Sequence, residues 1–314
     1  MSPLTASGPL RPAHVATVAS RPVRGALALA TSALCLTLAA LAAKLLSPAV
    51  SAPQLVFLRS LVMVAAVGLW ARGRGEPLFA AERRSGLLLL LRGVLGTVGA
   101  MLFFGALRRI PLGDTMILFQ SHPALVAFVS PWILGERLRP WQLLLVLGSI
   151  GGVALVVGPE GGGDWIGRGM ALGCAVTTGL AVALVRLARR ELPALTVAIA
   201  FPAVAVATIG PAIALRVPWF SWGDPTPLDW GIVAAIAALG TIAQVLQAVG
   251  LGCMPAARGA PISNLQVVFA VVLGYLLLDE VPTATSLAGA ALIVVCLLLL
   301  SRERSARASD EKAC

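Results

Sequence analysis

Long apolar runs separated by short polar turns dominate the chain. A helix needs about 20 apolar residues to cross a bilayer's hydrocarbon core. Runs of that kind lie at about 25–46, 53–71, 87–107, 113–134, 141–158, 169–188, 194–216, 229–250, 259–278 and 283–300. They are continuously apolar rather than alternating, which predicts helices and excludes a membrane β-barrel. Gly and Pro punctuate the turns, as in Arg108-Arg109-Ile110-Pro111 and Cys253-Met254-Pro255. The pattern predicts an all-α integral membrane protein with ten transmembrane helices. Small residues four apart, such as Gly148/Gly152 and Gly169/Gly173, predict close helix contacts.

Composition narrows the class. Of 314 residues, 58% are hydrophobic and 12% charged, and the mean hydropathy is +0.92. A soluble domain carries roughly a quarter charged residues, so a cytosolic enzyme, a secreted disulfide scaffold and a disordered protein are all excluded. The 5 cysteines are scattered without metal-ligand spacing, so neither a metal nor a cofactor is expected. The net charge of +10 is not gathered on a nucleic-acid-binding face. Basic residues instead occupy loops, where they set orientation and meet lipid headgroups. With the N-terminus inside, 17 of them fall on cytoplasmic segments and 5 outside (Lys44, Arg108, Arg109, Arg168 and Arg216). Both termini are therefore expected in the cytoplasm, with the chain in the inner (plasma) membrane.

A shift of 144 residues lays the second half on the first without a gap. Arg24-Gly25 falls on Arg168-Gly169, Gly96-Thr97 on Gly240-Thr241, Pro111 on Pro255 and Glu136 on Glu280. The expected units are repeat 1 over 23–158 and repeat 2 over 166–300, flanked by a disordered cytoplasmic tail at 1–22 and another cytoplasmic tail at 301–314. Each repeat holds five spans, an odd number, so the second must sit upside down relative to the first. Two inverted five-helix repeats around a midplane site form a transporter architecture.

Particular segments carry a resemblance. Ala106 to Asp114 leads into Leu134-Gly135-Glu136-Arg137-Leu138, and Gly250 to Arg258 into Leu278-Asp279-Glu280-Val281-Pro282. These resemble a ten-helix permease of the drug/metabolite transporter superfamily with two EamA-type domains. Asp279 stands where the second turn of such proteins usually has Gly. Arg59-Ser60 and Arg92-Gly93 resemble the subgroup containing S-adenosylmethionine-type carriers. The resemblance implies secondary transport of a small metabolite.

Candidate chemistry divides by symmetry. Glu136, Glu280, Pro111 and Pro255 recur in both halves and read as structural: the glutamates cap the following helix, and the prolines punctuate turns. Arg59 and Arg92 have no repeat partner, since the shift places Ala203 and Ile236 there. Each either snorkels to the nearer interface or faces the bundle and meets an anionic group. Gln120 and His122, with Ser121 between them, form the deepest polar cluster of the fourth span. Asn264 and Gln266 are its equivalents on the ninth. Gln244 and Thr178 add polar groups on the eighth and sixth. Amides in hydrocarbon must face water or one another, so these residues either line a substrate cavity or act as interhelical glue.

What is missing also matters. All 14 carboxylates lie in loops or at span ends, which leaves no deep carboxylate relay. Gly161-Gly162-Gly163-Asp164 lacks the Lys-Ser/Thr of an ATP-binding loop. The expected function is a secondary transporter of a small polar or amphiphilic metabolite working by alternating access. A broad drug efflux permease is the alternative within transport. It is disfavoured because positive groups and few aromatics are expected in the cavity. A membrane-embedded enzyme or a non-transporting structural protein is the alternative outside transport. Membrane lipids and a small metabolite are the expected partners, nucleic acid is not, and a homodimer stays open.

Overall fold

Backbone polar groups facing lipid must be satisfied within their own segment, so the apolar runs become helices. The computed structural model describes residues 22–74, 83–134, 140–157, 164–188, 192, 194–220, 222–253 and 262–310. Its helices are α1 (Pro22–Lys44), α2 (Ala52–Arg74), α3 (Arg83–Leu107), α4 (Leu112–Phe119), α5 (His122–Leu134), α6 (Pro140–Val157), α7 (Trp165–Ala188), α8 (Ala194–Ala214), α9 (Pro227–Cys253), α10 (Leu265–Leu278) and α11 (Ala284–Asp310). Seven of them, α1, α2, α3 and α6 to α9, are long and apolar enough to cross a membrane. Shorter apolar helices cover Leu265–Leu278 and Ala284–Leu299. The last helix continues to Asp310, into the stretch expected to be tail.

One expected span is not a single helix. The run at 113–134 is divided into α4 and α5, with Gln120 and Ser121 between them. Proline has no N–H to return to the carbonyl four residues back. Pro123 thereby frees the Phe119 carbonyl, which accepts from His122 Nδ1 at 2.9 Å instead. The run at 259–278 is interrupted at the equivalent position. Ile262 and Ser263 are helical, Asn264 forms a turn, and α10 starts at Leu265.

Helix packing follows the repeat register. The shift of 144 carries α1 onto α7, α2 onto α8, α3 onto α9 and α6 onto α11. Helix α1 packs on α9 and α3 on α7, α3 on α8 and α2 on α9, α5 on α7 and α1 on α10. In each pair of pairings the shift turns one into the other. The contacts of α2 with α8 and of α6 with α11 map onto themselves. Helices α6 and α11 approach closely at their glycines. A Cβ on Gly289 would lie 2.5 Å from the Gly152 carbonyl oxygen. Gly148 also faces α11, at Cys296, whereas Gly169 meets open space and Gly173 faces Leu102.

The outer surface suits lipid. Leu69, Leu144, Leu276 and Val268 are among the large apolar side chains left exposed. Exposed tryptophans lie near both ends, Trp165, Trp219, Trp222 and Trp230 at one and Trp70 at the other, as in the aromatic belts of membrane proteins.

The end bearing Lys44 is laced together across elements. Ser47 donates from its backbone N and its hydroxyl to the Asp229 carboxylate at 3.0 and 2.9 Å. Gly223 N donates to Gln54 Oε1 at 3.1 Å, and Arg108 donates to the Val50 carbonyl. Arg109 pairs with Asp164 at 2.6 Å. Asp164 in turn accepts from the backbone N of Ile166 and Gly167 at 2.9 and 3.1 Å, capping α7.

Candidate functional site

The two interrupted helices meet at their breaks. Gln120 Nε2 donates to Asn264 Oδ1 at 2.9 Å. Both residues are buried, as are Ser121 and Gln266. Ser121 returns its hydroxyl to the Leu118 carbonyl at 2.7 Å, and Gln266 Nε2 approaches Met116 Sδ at 3.5 Å.

A cavity of about 610 Å³ opens beside this contact. Its wall draws on α1 to α5, α7 to α11 and the Gln120 and Asn264 turns. All eight binding residues expected from the sequence, Gln120, His122, Asn264, Gln266, Gln244, Thr178, Arg59 and Arg92, are in that wall. His122 commits Nδ1–H to the Phe119 carbonyl, so in the neutral ring Nε2 is the acceptor. Thr178 lies 3.8 Å from Cys174 Sγ, another wall residue.

Sequence reasoning missed the aromatic part of the wall. Phe103, Phe104, Phe119 and Phe201 all line the cavity, which corrects the expectation of few aromatics there. Phe103 stands edge-on to Phe119 at a centroid distance of 5.4 Å. Helical spacing could have found the pair on α3, because Phe103 lies four residues after Gly99 and Phe104 four after Ala100, both also in the wall.

The structural residues fall elsewhere. Glu136 and Pro255 lie outside the described residues. Pro111 is the residue before α4. Glu280 does not cap the helix that follows it. Thr283 does that, its Oγ1 accepting from Ser286 N at 3.1 Å. Glu280 reaches into the other half: Oε2 accepts from Leu112 N at 2.6 Å, at the start of α4, and Oε1 is ion-paired with Lys44 of α1. Lys44 also donates to the Ile110 carbonyl at 2.9 Å. The physical reason is the turn at Asp279, whose φ of 53° lets Glu280 N return to the Gly274 carbonyl at 3.1 Å. That geometry carries the chain away from the axis of α10.

Residues 23–158 and 165–302 each match the EamA-like transporter family. The chain belongs to that family. It is a multi-pass membrane permease of the drug/metabolite transporter superfamily, and this assignment marks it as a transporter rather than an enzyme. The pseudopaline exporter CntI of Pseudomonas aeruginosa is 30% identical over 261 residues, covering 82% of this chain and 89% of the relative. The riboflavin transporter of Brucella anthropi is 24% identical over 226 residues, covering 69% of this chain and 77% of that protein. A solved crystal structure superposes with a TM-score of 0.59 at 22% identity, over 89% of this chain and 98% of its own. That likeness concerns the fold alone.

Proposed function

We propose that this EamA-family chain is a secondary transporter that carries a small polar or amphiphilic metabolite by alternating access between two inverted five-helix repeats, 23–158 and 166–300. The observation that carries the reading is the cavity wall shared by both repeats around the Gln120–Asn264 contact. A site at the junction of two repeats can be exposed to either side by rocking one against the other. The matching helix pairings under the 144-residue shift support the inverted repeat, and relatives named as a pseudopaline exporter and a riboflavin transporter support a small-molecule cargo.

The eight wall residues expected from the sequence form the binding site, and the laced end bearing Lys44 is the closed outer gate. The basic-residue distribution supports both termini on the cytoplasmic face of the plasma membrane. Arginines in the cavity disfavour hydrophobic cations as cargo.

The test is reconstitution into proteoliposomes with radiolabelled metabolite pools. Saturable uptake that is stimulated by unlabelled substrate on the far side supports exchange through one alternating site. Linear uptake without such stimulation contradicts it. Orientation is read separately, because an impermeant thiol reagent added to intact cells should leave Cys314 unlabelled. Efficient labelling there would reverse the topology.

A further inference from the structure

Two cavity-lining arginines have no acidic partner among the described residues. Arg59 on α2 and Arg92 on α3 both line the wall, and none of the described wall residues is acidic. The ion pairs among the described residues are Lys44–Glu280 and Arg109–Asp164, and neither involves these two arginines. Arg92 Nε is buried with no hydrogen-bond partner among the described residues. Each guanidinium lies near an aromatic ring, Arg59 at 5.9 Å from the Phe104 centroid and Arg92 at 5.9 Å from that of Phe201. Ring contacts hold a cation in place, but they use the faces of the ring and leave the guanidinium's in-plane donors free.

The seats of the two cations are related. A Cβ on Gly96 would lie 2.6 Å from Arg92 Nη1, and one on Gly240 would lie 3.2 Å from Arg59 Nε. Gly96 and Gly240 are separated by the same 144 residues as the two repeats. Arginines from non-equivalent helices therefore occupy equivalent glycine seats, one in each half. Snorkelling is the competing account, and the geometry opposes it for Arg92. Gly96 is one turn further from the Arg83 end of α3 than Arg92 itself, so the guanidinium reaches deeper rather than back to the nearer interface.

We infer that the cavity selects a small organic dianion, with Arg59 and Arg92 each taking one of two separate carboxylate-type groups and the Gln120–Asn264 region facing the body between them. Unpaired guanidinium charge at this depth is costly. Two anionic groups remove that cost and supply planar oxygen pairs that match both forks. Carboxylate and phosphate share this chemistry. The inference rests on the transporter reading, whose site it specifies.

The experiment uses the purified full-length chain carrying Cys174 as its single cysteine, since Cys174 lines the cavity. Protection of Cys174 from a thiol reagent is measured with α,ω-dicarboxylates of three to seven carbons, their monoamides and diamides, and the corresponding bisphosphates. A dicarboxylate of one preferred length should protect at roughly tenfold lower concentration than its monoamide, and the diamide should not protect. Arg59→Gln and Arg92→Gln should each bring the dicarboxylate and monoamide curves together. Should either fail to fold, Arg59→Lys or Arg92→Lys retains the charge and should keep a reduced preference. Bisphosphates that protect better than every dicarboxylate would move the assignment to phosphate. Equal protection by diamides, better protection by a cationic amphiphile, or no protection by any dianion would overturn the inference. In those cases saturable exchange of another metabolite in the same proteoliposomes would leave the transporter reading standing, and its absence would sink that reading too.

Discussion

Gln120 and Asn264 occupy the same position in the two halves of the chain and are hydrogen-bonded to each other at 2.9 Å. Under the inverted repeat proposed above, a direct contact between equivalent positions lies on the axis relating the halves. In an inverted-repeat transporter, exchanging the conformations of the halves maps this contact onto itself, so it can persist in both states. A contact away from the axis persists only if its counterpart under the shift is also made. Lys44–Glu280 would map onto Ala188 and Glu136, which have no cation between them.

The central amide pair yields a test that separates cargo binding from structural glue. Asn264→Leu leaves Gln120 Nε2 buried without its acceptor, at a cost of about 1–3 kcal/mol in stability. Adding Gln120→Leu removes the orphaned donor, so the double variant should recover much of the lost thermal stability. Transport should remain lost in both variants, because the central polar contact of the cavity wall is gone. Recovery of uptake in the double-leucine protein would make the pair glue and nothing more.

The sequence disclosed these amides through their depth and the repeat register, and the apolar runs disclosed nearly every helix. Their direct bond was not legible, because a register states equivalence and not distance. The interruption of the fourth span had a signal in Pro123, whereas at the second break the nearest proline, Pro261, stands three residues before Asn264 rather than after it. Glu280 was legible as structural and illegible in its target. A one-dimensional reading assigns a turn carboxylate to the next helix along the chain, whereas this turn delivers it to Leu112 and Lys44 in the other repeat.

Asp279 offers a test of that turn. Its φ of 53° and ψ of 28° lie in the left-handed region, which Gly adopts freely and Asp tolerates better than most residues. Asp279→Gly should leave thermal stability in detergent unchanged or slightly raised. Asp279→Val should lower it by about 1–2 kcal/mol, because a β-branched side chain fits this conformation poorly. Equal unfolding temperatures for the two variants would show that the turn does not depend on this backbone conformation.

Acid stability should report on Asp164. Its hydrogen bond from Arg109, with the N–H of Gly167 next in weight, holds the carboxyl below its ordinary value. A depressed folded value means that the stabilisation is fully present above the unfolded value of about 4 and is lost as pH falls through the folded one. Asp164→Asn keeps a capable helix cap but has no charge to titrate. Thermal unfolding from pH 7 down to pH 3 should show the wild-type advantage over Asp164→Asn constant at first and shrinking below about pH 4. Parallel curves across the whole range would remove the ion pair from the account.

The Lys44–Glu280 latch should bias which end of the transporter is closed. The two side chains are 16% and 18% exposed, shielded enough from water for the ion pair to exceed a surface bridge. It joins α1 and the start of α4 to the turn after α10, and the shift of 144 places Ala188 where a matching cation would stand. Under the proposed alternating access, closure at the Lys44 end is therefore favoured by this ion pair. Glu280→Gln keeps an acceptor for Leu112 N but removes the charge that holds Lys44. A loss of about 1.4 kcal/mol in this latch changes the closed-to-open ratio tenfold. In cells carrying Cys174 as the single cysteine, labelling from outside should accelerate by about that factor in Glu280→Gln, and Lys44→Met should behave alike. Half-saturation for cargo should change far less, because neither residue lines the cavity. A fall in unfolding temperature with no change in Cys174 labelling would reduce the pair to a stabilising contact without a role in gating.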